Sequence, residues 1–164
     1  MTTKADYTEE EWDELIQAPV MASMLVITAD LHVTSVLGEM KGMMEAVVKG
    51  PVPEPAQELV GSLVEDIKAR AENKEKMEMP DTKGQDAEKV LADMMDQVRG
   101  AAAILDEKAG AEEARAFKQW VMNVAEATAE AGREGGFLGI GSVRVSDKEK
   151  AALKKIAEVL DLAE

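Results

Sequence analysis

Thr8-Glu9-Glu10-Glu11-Trp12-Asp13-Glu14-Leu15-Ile16, continuing through Pro19 into Val20-Met21-Ala22-Ser23-Met24-Leu25-Val26-Ile27, decides the fold class. Thr8 and Glu11 have capping-box spacing: the hydroxyl can accept from the first turn while the glutamate reaches back to the threonine N–H. Trp12, Leu15 and Ile16 begin a stripe at helical spacing. From Val20 to Ile27 the residues are apolar on nearly every side, the pattern of a central, buried helix. Pro19 lies inside that pattern and is expected to end the first turns or to kink the helix.

Outward from this segment the helical period recurs. Val36, Leu37, Met40, Met43, Met44 and Val47 predict a second helix that stops at Gly50, before the stiff linker Pro51-Val52-Pro53-Glu54-Pro55. A third is expected over about 55–74, with Val60, Leu63, Val64, Ile67 and Ala71 on one face. Residues 75–84, which carry Met77 and Met79, read as a loop. A fourth helix over about 86–107 turns Val90, Leu91, Met94, Met95, Val98, Ala102 and Leu105 inward. After Gly110, a fifth over about 111–131 turns Phe117, Trp120, Val121, Val124, Thr128 and Ala131 inward, and its run of alanines allows a close neighbour. Ser146 and Glu149 form a second capping box, opening a last helix with Leu153, Ile156, Val159 and Leu160 inward.

Composition agrees. Aromatic residues make up 3% of the 164 residues, and there are 11 methionines. Such a core is built from Ala, Val, Leu, Ile and Met, which favours helix over strand. The expectation is an all-α protein: one domain over residues 1–164, an antiparallel helical bundle of four to six helices with a short C-terminal helix.

The same composition excludes much chemistry. With no cysteine, a thiol nucleophile, an iron–sulfur cluster and cysteine zinc sites are ruled out. With one histidine, His32, so are H-E-x-x-H and paired E-x-x-H sites. A net charge of −14 argues against nucleic acid. The most apolar run, from Ala18 to Ala29, is shorter than the about 20 residues a spanning helix needs, so no membrane span is expected. The polar, acidic start at Met1–Asp6 resembles neither a signal nor a transit peptide, which points to the cytoplasm. Adjacent carboxylates such as Glu9-Glu10-Glu11 and Glu112-Glu113 are expected on solvated faces, and nothing selects an acid–base pair. We therefore expect no enzyme and no cofactor, with a divalent cation as the alternative.

The least ordinary stretch is Gly135-Gly136-Phe137-Leu138-Gly139-Ile140-Gly141-Ser142-Val143-Arg144-Val145. It lacks the G-K-[ST] of a P-loop and follows a helix rather than a strand. Its apolar residues either cover the open end of the bundle, with the glycines supplying turns, or form a docking strip for a partner or a second subunit. Arg144 beside the Ser146 helix start could also attend an anion. Phe137, Leu138, Ile140 and Arg144 are the candidate partner-binding residues, and the function expected is protein–protein contact with self-association. A bundle holding an apolar ligand, lined by methionine and alanine, is a further alternative.

Two segments resemble one another: Ala29-Asp30-Leu31-His32-Val33-Thr34-Ser35, and Gly139 through Glu149. Each sets an aliphatic residue before a Ser or Thr that can start a helix. They resemble the inter-helix turns of the tellurite-resistance protein B family, in which an Asp-Gly turn leads through an aliphatic residue and Ser/Thr to a Glu. Leu31 stands where that pattern has glycine, Leu37 where it has the glutamate, and Gly141-Ser142 where it has the acidic turn. The resemblance implies an all-helical protein binding a divalent cation through turn carboxylates, here Asp30 and Glu149, with His32 beside them. The stretch from Glu134 to Glu149 also looks like the end of small uncharacterised prokaryotic helical proteins, which implies no function.

Overall fold

The computed structural model describes residues 1–30, 36–73, 86–131 and 145–163. Among them there are six α-helices and no strand: α1 (Glu9–Ala29), α2 (Val36–Lys49), α3 (Gln57–Glu72), α4 (Ala87–Lys108), α5 (Ala111–Ala131) and the short C-terminal α6 (Asp147–Val159). Single 3-10 turns at Lys4–Asp6 and Glu54–Ala56 precede α1 and α3. The expected loop at 75–84, the caps expected at Thr34 or Ser35, and the glycine-rich stretch up to Arg144 lie outside the described residues.

α1 starts where its capping box places it. The Thr8 hydroxyl accepts from the Glu11 N–H at 3.2 Å, and the Glu11 carboxylate accepts from the Thr8 N–H at 2.7 Å. Such a cap contributes about 1 kcal/mol. The helix does not end at Pro19 but runs through it to Ala29. A proline inside a helix costs about 3 kcal/mol through the lost N–H and the clash with the preceding turn. Burial on both sides offsets that cost: Trp12, Leu15, Ile16, Met21, Ala22 and Val26 are each at most 1% exposed, and fully burying a large aliphatic side chain is worth about 1.5–3 kcal/mol.

α4 runs antiparallel to α1. Glu11, at the start of α1, meets Lys108, at the end of α4, at 2.5 Å, while Leu25 and Ala29 share a groove with Leu91 and Met95 near the start of α4. Ala109 and Gly110 then turn the chain back into α5, which again runs antiparallel to α4 and pairs Lys118 with Asp106 at 2.6 Å. α2 packs along α5, also antiparallel, with Gly42 set against Ala127 and Ala131. α3 joins the beginning of α1: the Trp12 indole N–H donates to Asp66 at 2.8 Å, and Arg70 pairs with Asp13. α6 closes the far end, packing on α1, α4 and α5 with Ile156 fully buried.

The N-terminal residues are tied down as well. The Thr2 N–H donates to the buried Glu113 carboxylate at 2.9 Å, and the Tyr7 and Thr2 hydroxyls lie 2.8 Å apart. One connected set of buried side chains, from Tyr7 to Leu160, draws on all six helices. Leu91, expected to face inward, is among the large apolar side chains left exposed. It is 37% exposed, and Met40 and Met44 are 43% and 42% exposed. The helical stripe on α2 is satisfied by Met43, Ala46 and Val47, so its neighbours at Met40 and Met44 turn outward.

Candidate functional site

Two concavities stand out on this framework. The first is a groove of about 470 Å³ between the end of α1, the beginning of α4 and the beginning of α6. Leu25 and Ala29 come from α1, and Leu91, Ala92 and Met95 from α4. α6 supplies Lys148, Ala151, Ala152 and Lys155. Those four positions follow the i, i+3, i+4, i+7 rule and so share one face of α6. Two alanines keep that face shallow, and the lysines bracket it at either end. The walls are otherwise apolar, and Leu91 is a large side chain left open in them.

The second is a cleft of about 550 Å³ between α2 and α5. Ala46, Val124, Ala127 and Pro51 line it with Trp120, and Glu45, Lys49, Asn123 and Glu130 supply its polar groups. Trp120 is 1% exposed, and its indole N–H has no hydrogen-bond acceptor among the described residues. Trp12, by contrast, places its indole N–H on Asp66.

The residues singled out from the sequence fall as follows. Phe137, Leu138, Ile140 and Arg144 lie outside the described residues, as does His32. Asp30 ends α1 and faces the start of α6, where its carboxylate accepts from Lys148 at 3.3 Å. Glu149 completes the second capping box, accepting from the Ser146 N–H at 2.5 Å while its own N–H donates to the Ser146 hydroxyl at 3.2 Å. The two carboxylates thus belong to the same corner of the molecule, and protein donors already engage both. Among the described residues no three histidine or carboxylate groups gather closely enough to hold a metal ion, and no helix is long and apolar enough to cross a membrane.

The groove residues are partly visible in the sequence. The Lys148-Ala151-Ala152-Lys155 face is a readable signal, because a helix presenting two alanines between lysines has little apolar area of its own. Leu91 is not visible: its position fits the inward stripe of α4, and only the placement of α6 shows that it borders a gap.

Shifted ionisations cluster elsewhere. Burial pushes the Asp66 carboxyl up, but hydrogen bonds from Lys4 and Trp12 outweigh it and hold the group below the usual carboxylate value. Glu11 is lowered chiefly by the Lys108 ammonium. Glu126 is raised, first by desolvation and then by the Glu130 charge one turn on. Asp66 and Glu11 join helices and border neither concavity. No protein-family model, curated protein or solved structure matches the chain.

Proposed function

We propose that this chain is a non-enzymatic helical protein that acts through protein–protein contact and associates with copies of itself. The observation that carries this reading is the apolar groove between α1, α4 and α6, with Leu91 open in its wall and Lys148 and Lys155 beside it. The occupant that fits is α2 of a second copy. Met40 and Met44 stand one turn apart and exposed on that helix, with Glu45 next to them. Methionines adapt to an irregular groove, and an acidic flank complements the two lysines. Groove and ridge are different surfaces, so the contact is head-to-tail and builds a ring or an open array rather than a two-fold dimer.

The test uses two capped variants. Leu91→Glu blocks the groove, and Met40→Glu with Met44→Glu blocks the ridge. Native mass spectrometry of the wild type is expected to give oligomers, of each variant alone monomers, and of their mixture a heterodimer, because one intact groove then meets one intact ridge. A wild type that stays monomeric at high concentration overturns the reading. On that same sample an apolar adduct would favour a ligand-holding bundle, and a stoichiometric divalent cation the tellurite-resistance-type alternative. Association that survives both caps but is lost with Phe137→Ser and Leu138→Ser moves the contact to the glycine-rich segment.

A further inference from the structure

We propose that the cleft between α2 and α5 is a binding site for a small zwitterion, with the ligand's carboxylate at the Trp120 end and its amine at the Glu45 and Glu130 end. The inference does not require self-association: the cleft uses neither Met40 nor Met44 and shares only Glu45 with that contact.

The antiparallel run of α2 on α5 polarises the cleft. Gly42 meets Ala131, so Lys49, Gly50 and Pro51 lie toward Trp120 and Asn123, while Glu45 lies toward Ala127 and Glu130. One end therefore collects donors, the Lys49 ammonium and the Asn123 amide, beside the Trp120 ring with its buried indole N–H. The other collects two carboxylates. Neither Glu45 nor Glu130 forms an ion pair with Lys49, although Glu45 and Lys49 are one turn apart. Trp120 is the second, independent sign. Buried donors in folded proteins almost always have an acceptor, and this one, itself buried on a residue that lines the cleft, has none among the described residues. A ligand carboxylate would accept from it and sit beside Lys49.

The spacing sets the ligand class. Positions one turn apart on α2 are separated by about 5–6 Å, and Asn123 and Glu130 by about 10 Å along α5. An α-amino acid holds its charges too close to span that range, whereas a chain of several methylenes between amine and carboxylate reaches it. The alanine, valine and proline lining accommodates the methylenes. The class is an ω-amino carboxylate.

The two tryptophans make the test internal. Nitrogen-15 spectra of the full chain should show two indole N–H signals. With δ-aminovalerate added into the millimolar range, the Trp120 signal should move and that of Trp12, held by Asp66, should stay. Valerate and pentylamine, each lacking one charge, should bind at least about tenfold more weakly. Trp120→Phe, which keeps the ring but removes the donor, should weaken δ-aminovalerate by about tenfold or more, as should the surface change Lys49→Gln. Glu130→Gln should remove the preference over valerate. An unmoved Trp120 signal overturns the proposal, as does an indole proton in contact with water alone. Equal response to valerate overturns the zwitterion assignment, and unchanged binding by Lys49→Gln overturns the polarity.

Discussion

The Thr128 hydroxyl oxygen lies 3.0 Å from that of Ser23, joining α5 to α1 at a point where both residues are fully buried. It also lies 2.8 Å from the Val124 carbonyl oxygen. With one proton per hydroxyl, the Thr128 proton serves one of these bonds and the Ser23 proton the other. Removing Ser23 costs the one bond it makes, because the Thr128 proton stays on the Val124 carbonyl, whereas removing Thr128 alone leaves the buried Ser23 hydroxyl unpaired, at a cost of about 1–3 kcal/mol. Removing both together leaves no unpaired hydroxyl. Ser23→Ala and Thr128→Val should each lower stability in urea titrations, and the double variant should lose less than their sum by about 0.5–1.5 kcal/mol. Strict additivity would show that the two hydroxyls fold independently.

A single pair of glycines separates close packing from helix propensity. A Cβ at Gly42 would fall 2.1 Å from the Cβ of Ala131, far inside contact distance, so even alanine forces α2 away from α5. Gly42→Ala should destabilise by about 1–3 kcal/mol, the range for overpacked sites. At Gly61, in α3, nothing lies within 4 Å of the point a methyl group would occupy. Gly61→Ala should therefore stabilise by about 0.5–1 kcal/mol, the propensity gain alone. Thermal melts of the two variants should move in opposite directions.

These glycines also mark where sequence reasoning holds and where it stops. Local chemistry is readable: Thr8 with Glu11 and Ser146 with Glu149 each form the capping box that their spacing predicts. The alanine run of α5 predicts a close neighbour, and Gly42 is that neighbour. Of the two outcomes Pro19 leaves open, the helix end does not occur, because its penalty is local whereas the burial that carries the helix through comes from partners distant in sequence. Leu91 misleads for the converse reason: a stripe shows which face of α4 is apolar, not whether another helix reaches that far along it. The concavities themselves depend on pairs such as Lys148 with Asp30, 118 positions apart, and on an indole N–H whose lack of an acceptor is a property of the packed state. No pattern in the chain encodes either.

Asp66 should set part of the acid limit of stability. Its carboxyl takes hydrogen bonds from Lys4 at 2.5 Å and from the Trp12 indole at 2.8 Å, and is held below its ordinary value of 3.8. A lowered folded-state pKa contributes stability that is present above the unfolded value and is lost as pH falls through the folded one. Asp66→Asn should therefore cost about 0.5–1.5 kcal/mol near neutral pH. The gap to wild type should close as the pH drops below 3.8. Urea titrations across the acid range measure both arms, and a gap that persists in strong acid would assign the effect to packing.

Glu126 has the opposite sign. Its carboxyl is raised above the ordinary value of 4.5, by desolvation first and by Glu130 second. A raised folded-state pKa means that the folded protein holds the proton more tightly than the unfolded chain. The stability this provides is fully present below 4.5 and is lost as pH rises through the raised value, so at neutral pH the charged Glu126 opposes folding. Glu126→Gln should gain stability there, by no more than about 0.2–0.5 kcal/mol because like charges one helical turn apart are well solvated. The gain should vanish in acid. Glu130→Gln should bring the Glu126 titration part of the way back, because it removes the second cause and leaves the first. A carbon-detected titration of the Glu126 carboxyl in both backgrounds separates the two causes, and an unshifted midpoint in Glu130→Gln would leave desolvation as the whole of the effect.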